Sequence, residues 1–327
     1  MNRYFSITTG CKSRTSPVLS IGSLRRSFSL MSVLMFSFAC VAVSAKAQGT
    51  RYPIEENGRY GFIDSCGSVV VQPILRFLPK MSDGLEKTAK WTVFAGQRWG
   101  FVDSAGREVI PHEYSEAGDF HEGLARVLKR PVFFPFFSRD RFGYIDRTGR
   151  LVIGYKYGVA GDFSEGLANV SIDGHSGYID TAGQVVVPLQ YQHAGKFSCG
   201  LAPVEKSGMW GYIDTTGREV IKPRFRSART FSDGLALVLE GSGWKYVTRT
   251  GEEAFRLNFS NARKFSEGMA PVEIDGLWGF VDTAGYFAIK PEFTDANPFW
   301  HGLALVETAN WHGYINHDGK IVWKYPR

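Results

Sequence analysis

LAPVEKSGMWGYIDTTGREVIKPRF, residues 201–225, decides the fold. Its first piece alternates: Ala202, Val204 and Lys206 fall on one side, Pro203 and Glu205 on the other, which is the two-residue period of a strand. Ser207-Gly208 is a turn signal. Trp210 to Asp214 is aromatic and β-branched and too short for a helix. Asp214-Thr215-Thr216-Gly217 turns the chain again, and Glu219-Val220-Ile221 supplies a third short strand. The segment reads as a β-meander of three antiparallel strands.

The same string recurs along the chain. Gly-aromatic-(Ile/Val)-Asp-x-x-Gly begins at Gly61, Gly100, Gly143, Gly177, Gly211 and Gly279, with looser copies at Lys245 and Gly313. From 143 to 313 the starts are 34 residues apart each time. A fixed period of this length means stacked supersecondary units that share a continuous core. Asp at the first turn position can accept bonds from backbone amides ahead of it. Gly at the fourth tolerates a left-handed backbone. Thr248 and Asn316 replace that Asp in two copies and keep a side-chain oxygen, which argues for turn formation over catalysis.

Between meanders run linkers with two fixed aromatics. Tyr114, Tyr157, Tyr191, Phe225, Phe259 and Phe293 follow the unit start by 14 residues, and Phe120, Phe163, Phe197, Phe231, Phe265 and Phe299 precede a glycine by three. One aromatic per unit at a constant place is expected to pack between neighbours.

Charge is unevenly placed. Of 38 basic residues six lie in residues 1–47, which hold no Asp or Glu, and the rest balance the 32 acids. The body has no basic field for nucleic acid. Arg25-Arg26, the apolar run Leu30 to Val43 and the small-x-small step Ala45-Lys46-Ala47 have the layout of a signal peptide cleaved before Gln48. The run is short for a membrane span, which needs about 20 residues. The expectation is an exported protein, periplasmic or extracellular. The alternative is a membrane anchor formed by an uncleaved leader. Outside the leader only Cys66 and Cys199 remain, in distant units; two free, partly buried thiols are expected.

No constellation for chemistry emerges. The seven histidines form no H-E-x-x-H or repeated His/carboxylate pair, and no nucleophile elbow, phosphate loop or dinucleotide fingerprint is present. No catalytic residue, cofactor or metal is expected. A glycan hydrolase would need two carboxylates facing each other across roughly 5 to 9.5 Å. Glu122, Glu165, Asp233 and Glu267 recur periodically, but periodic acids belong more often to turns and surfaces.

Two insertions break the period. A regular copy takes 10 positions from Leu167 to Gly177, whereas Leu85 to Gly100 takes 15 and Leu124 to Gly143 takes 19. Both expand the same hairpin in adjacent units, so they should project on one side. The longer carries Phe133, Phe134, Phe136 and Phe137 between Lys129 and Arg141. These four are the candidate partner contact, since insertions in repeat proteins often carry binding.

Trp99-Gly100, Trp210-Gly211 and Trp278-Gly279, each within an x-Trp-Gly-aromatic-(Ile/Val)-Asp-x-x-Gly core, resemble the WG-repeat family of bacterial proteins. Tyr60, Phe142, Ser176 and His312 stand in place of the Trp in four copies, and the Trp244 copy lacks the Gly. With Phe-(Ser/His)-(Glu/Asp)-Gly-(Leu/Met)-Ala, the resemblance covers residues 52–327. It implies a β-repeat interaction module with no shared active site. The hairpin is also similar to cell-wall-binding repeats, with Gly in place of one aromatic of their choline cage.

The expected fold is all-β: eight three-stranded meanders across residues 52–327 in an open superhelical solenoid. A closed toroid or β-propeller is the alternative, disfavoured because common propeller blades take four strands and about 40 residues. The expected function is an exported, non-enzymatic scaffold for an unknown protein or envelope glycan. Cell-wall glycan binding is the alternative and glycan hydrolysis a more distant one. Membrane contact is expected only through the leader or the 129–141 loop.

Overall fold

The computed structural model describes residues 50–75, 81–82, 84–92, 96–130 and 140–326. The expected leader, residues 1–47, and the four phenylalanines of the longer insertion lie outside these residues.

Three strands per unit undercounts the sheet. In the fifth unit Leu201–Lys206, Met209–Asp214 and Glu219–Phe225 form the expected meander, and His193–Ala194 adds a fourth strand beside Leu201–Lys206. The extra strand comes from the linker. It is two residues long, too short to show any alternation, which is why a 34-residue repeat can hold four strands. Eight such sheets follow one another along the chain. Among the described residues six have four strands; the first, on Tyr52–Glu56, and the sixth, on Ala236–Glu240, have three.

The open solenoid is overturned, because the first sheet packs against the last. Tyr52, 1% exposed, sits edge-on to Trp300 and Tyr314 of the eighth sheet at 5.6 and 5.7 Å. Tyr52, Ile54 and Ile63 share one core with Leu303 and Tyr314. The Tyr52 hydroxyl donates to the His301 carbonyl, and the Tyr314 hydroxyl to that of Pro53. An open array would leave these side chains in water, at roughly 1.5–3 kcal/mol for each large apolar one. The eight sheets are the blades of a closed β-propeller.

Neighbouring blades meet through aromatics. Phe163, Phe197, Phe231 and Phe265 each pack on the tyrosine of the preceding blade, with Tyr178–Phe197 centroids 4.7 Å apart. The second linker series is therefore core, and the first is buried as well except for the half-buried Phe259. Because blades stack face to face, Leu201, Ala202, Pro203 and Val204 are all buried, where a sheet with one wet face would alternate.

The glycine of the Trp-Gly pair is explained by the third meander strand. Trp210 pairs Phe225 while Tyr212 pairs Ile221, so the outer strand bulges opposite Gly211. A Cβ at Gly211 would press on the Ile221 carbonyl oxygen and stand 2.7 Å from Pro223 N. In the sixth blade Lys245 holds this place, and there no outer strand pairs with Gly243–Val247 among the described residues. Prolines such as Pro188, Pro223 and Pro291 sit in the outer strands and blunt their open edges.

Cys199 is a half-buried free thiol, as expected, whereas Cys66 is exposed and not partly buried. Cys66 lies in an exposed Asp-x-x-Gly turn, where its backbone amide bonds Asp64.

Candidate functional site

The recurring carboxylates are occupied by backbone. In the Asp-x-x-Gly turn of the fifth blade Asp214 Oδ1 accepts from the amides of Thr216 and Arg218, both at 3.0 Å. The Thr216 hydroxyl, at 2.6 Å, is the largest cause that holds the Asp214 carboxyl down at about 2; those backbone and Arg218 bonds add to it. Asn316 makes the same two backbone bonds to Asp318 and Lys320. The Thr248 hydroxyl instead meets that of Thr250 at 2.9 Å.

The second acidic series forms a ladder between blades. Ser164 and Leu167 exchange backbone bonds around Glu165-Gly166, both at positive φ, which makes a two-residue hairpin turn. The Glu165 carboxylate then accepts the amide of Gly200, the matching glycine one blade on, at 2.9 Å. Glu122 accepts from Gly166, Asp233 from Gly268 and Glu267 from Gly302, at 3.0, 2.7 and 2.8 Å. Cys199 and His301 stand where the acid would be in two further turns, also at positive φ. These acids tie the ring together, and none of the four faces another across a groove in these contacts.

The irregular side of the ring is chemically richer. The first insertion lengthens the hairpin of Leu85–Thr92 and Gly96–Val102, and leaves Trp91 80% exposed. Arg98 of that hairpin is buried and donates to Ser115 Oγ at 2.7 Å and to the Arg130 carbonyl at 3.4 Å. Arg130 begins the second insertion and forks onto Asp140 at its end, with Nε–Oδ1 at 2.7 Å. That guanidinium holds the Asp140 carboxyl below its ordinary range. Next to it Arg141 reaches Asp173, in the hairpin turn of the fourth blade, at 3.2 Å. Arginines thus join the described parts of the hairpins of three consecutive blades. Phe133, Phe134, Phe136 and Phe137 lie outside the described residues, between the Arg130 and Asp140 anchors.

Beside these anchors lies a cavity of about 700 Å³, lined by Arg141, Val159, Asn169, Ser171, Ser176 and His193 among others. Its origin is a substitution. Ser176 pairs with Tyr191 as Trp210 pairs with Phe225 and Trp278 with Phe293, so it occupies the tryptophan's place. Its cross-strand partner is Ser171, where the fifth and seventh blades have Glu205 against Trp210 and Glu273 against Trp278. Two small hydroxyl side chains replace an indole and a carboxylate. Elsewhere the indole is covered by a cation or imidazole: Lys87 over Trp99, Arg229 over Trp244, Arg263 over Trp278, and His193 stacked on Trp210. In the sequence Ser176 is a departure from the motif, and the side-chain volume lost there is the signal of the cavity.

Among the described residues no cluster of three or more His, Cys, Asp or Glu is placed to hold a metal. No described helix is long and apolar enough to cross a membrane.

Comparison with known proteins agrees with this architecture. The fold is similar to that in "Crystal structure of the eukaryotic initiation factor", at 12% identity, TM-score 0.57, and coverage of 86% of this chain and 85% of that one. The likeness at that identity concerns the β-propeller fold alone. A weaker one, TM-score 0.44 at 8% identity, is to Hsv2p of Kluyveromyces lactis, over 75% of this chain and 94% of the other. No curated protein sequence matches the chain. The model for "WG containing repeat" matches residues 99–130, 142–174, 177–210, 210–244, 246–278 and 278–310, so the chain belongs to the WG-repeat family.

Proposed function

We propose that the protein is an exported, non-enzymatic propeller scaffold that binds a protein or envelope component through the irregular side of blades two to four. The observation that carries this reading is the arginine-linked set of lengthened hairpins, with Trp91 exposed on one and Arg130 paired with Asp140 on the next. Tryptophan is enriched among the residues that anchor protein interfaces, which makes exposed Trp91 the described group best suited to a contact. The structural engagement of the recurring carboxylates supports a scaffold over a hydrolase, and the basic-apolar-small layout of residues 25–47 supports export.

Affinity purification of the mature protein from its own envelope fraction tests the reading. Replacement of Phe133, Phe134, Phe136 and Phe137 by Ser should leave the thermal melt unchanged and abolish capture. A variant that melts markedly lower yet retains capture would return the segment to ordinary packing. N-terminal sequencing should find Gln48 first; an intact leader in the cytoplasm would end the export reading.

A glycan is the second reading, favoured by the exposed flat rings of Trp91 and Tyr286, 80% and 74% accessible. Capture by isolated cell-wall polysaccharide after protease treatment would select it.

A further inference from the structure

We infer that the cavity at Ser176 is a receptor for an aromatic side chain, an indole above all, presented by a protein partner. The inference deepens the scaffold reading and rests on it.

The chain itself shows what fits this place. Four other blades put a tryptophan at the same register, and each covers it with Lys87, His193, Arg229 or Arg263. In the fourth blade the backbone frame is retained: Ser176 faces Tyr191 across the outer strand and Ser171 across the inner one, in the register of the tryptophan blades. The indole is gone while the frame that holds it remains.

A cation is retained too, but it comes from elsewhere. The fourth blade has Val159 where the fifth has His193, so it supplies no cation at that point of its own short strand. Arg141 crosses from the third blade instead. Its guanidinium lies against Gly158, whose missing side chain leaves it room, and its other nitrogen is fixed by Asp173 at 3.2 Å. An incoming ring would have a guanidinium at the rim to stack on, a contact worth about 0.5–1 kcal/mol at an exposed site. Deeper in, Ser171 and Ser176 are each 8% exposed. Their hydroxyl oxygens can accept the indole N–H, a donor that needs a partner when buried.

The remaining polar neighbours are already committed to the frame. Asn169 Nδ2 donates to the Ala194 carbonyl, and Gln192 Oε1 accepts from the Gly208 amide. They shape the cavity, as do Asp140, Asp173 and His193, held by Arg130, Arg141 and the Trp210 ring; the Ser176 hydroxyl donates to the Gln192 carbonyl at 3.4 Å, so its lone pairs, Ser171 and Arg141 are left to meet a guest. An aliphatic guest would fill space but use neither the guanidinium face nor the serine acceptors.

The test uses Gly-Trp-Gly amide as the probe, titrated into the protein and followed by NMR shifts of the Ser171, Ser176 and Arg141 amides, with Gly-Leu-Gly amide as the comparison. The tryptophan peptide should shift these amides saturably and the leucine peptide should not. Ser176→Trp, which restores the residue of the other blades, should abolish the shifts and leave the melting temperature equal or higher. Should Ser176→Trp fail to fold, Ser176→Leu, a smaller filling, should weaken binding in its place. Arg141→Ala should weaken it about two- to fivefold, the range of such a cation–π contact. Equal binding of both peptides, no shift at these amides, or undiminished binding in a folded Ser176→Trp protein would overturn the inference. Loss of probe binding with envelope-partner capture intact would reject the cavity's role and leave the scaffold reading standing. Probe binding with no partner captured by the intact protein would do the reverse.

Discussion

The Tyr314 hydroxyl donates to the Pro53 carbonyl at 2.8 Å, joining residues 261 positions apart. Elsewhere the same tyrosine reaches a carbonyl 17 residues on: Tyr144 that of Gly161, Tyr178 that of Gly195, Tyr212 that of Arg229. In the fifth blade the Gly195 amide in turn donates to the Pro203 carbonyl at 2.8 Å. Pro53 holds the place of Pro203, since it pairs Phe62 as Pro203 pairs Tyr212. Tyr314 therefore bypasses the linker and bonds the strand itself. Tyr314→Phe should cost about 0.5–1.5 kcal/mol, the net worth of one such bond, and denaturant unfolding would measure it. Fluorophores on residues 56 and 310 should report a short distance that lengthens at or below the denaturant concentration of global unfolding. A long distance in the native protein would contradict closure.

The Tyr314 phenol adds a pH dependence. Burial, with Tyr52 adding to it, pushes its pKa up from 10.0 to about 12. A raised pKa in the fold means that the unfolded chain loses this proton first. The stability concerned is complete below pH 10 and is lost as pH rises from there through about 12. Tyr314→Phe should flatten this part of the alkaline denaturation curve relative to the unmodified protein. An unchanged slope would mean that Tyr314 does not titrate with closure.

Gly211→Ala should be among the most damaging single methyl additions in the chain. The new Cβ would press on the Ile221 carbonyl and on Pro223 N, and backbone in a paired strand cannot step aside cheaply. Overpacking of this kind costs about 1–3 kcal/mol. Hydrogen exchange should locate the loss in Glu219–Phe225, with Leu201–Lys206 still protected. A uniform loss of protection across the blade would point to a different cause.

Cys199→Glu should extend the ladder of acids. Cys199 already has φ near that of Glu165, at 56° for both, so the longer side chain meets no new backbone strain. Its carboxylate would be offered to the Gly234 amide as Glu165 is to Gly200. The partners are only half-buried, so the gain should sit near the low end of the roughly 0.5–1.5 kcal/mol range for one bond. A lower melting temperature would show that the half-buried thiol contributes more through packing.

At acid pH the turn aspartates should lose their contribution to stability. Bonds from neighbouring hydroxyl and amide groups, the Thr148 and Thr216 hydroxyls foremost, hold Asp146 and Asp214 at about 2, against 3.8 for a free carboxyl. A depressed pKa contributes stability above the unfolded value that disappears as pH falls from 3.8 towards 2. Thr216→Val should raise the Asp214 midpoint in an NMR titration and leave Asp146 unmoved. Equal movement of both would mean that the hydroxyl is not the cause.

Much of this was legible in the chain. Asp214 and Gly217 announced the turn, and the spacing of Phe163, Phe197 and Phe231 announced an inter-unit core, because both depend on contacts fixed by the repeat. Closure was not legible. Tyr52 aligns with Ala202 in the repeat, and nothing in its sequence context says that its ring crosses to Trp300. The fourth strand escaped because His193–Ala194 is too short to have a period. Ser176 was visible as a motif departure, but a cavity is a property of volume in three dimensions, and a list of substitutions carries none. The role of Gly211 was hidden for a related reason: its neighbour, Pro223, is set by a bulge.

Each blade is a contiguous stretch of chain, and among the described residues no strand is shared between the first sheet and the eighth. The ring is therefore sealed by a seam of side chains, with no hydrogen-bonded strand stitched across it. A seam has no fixed address in sequence. Joining the two ends and reopening the chain at another inter-blade turn, such as that after Tyr191, should rebuild the same ring with its join moved. Because a closed ring divides one full turn among its blades, a repeat gained or lost would have to be absorbed at every inter-blade interface as well as at this seam.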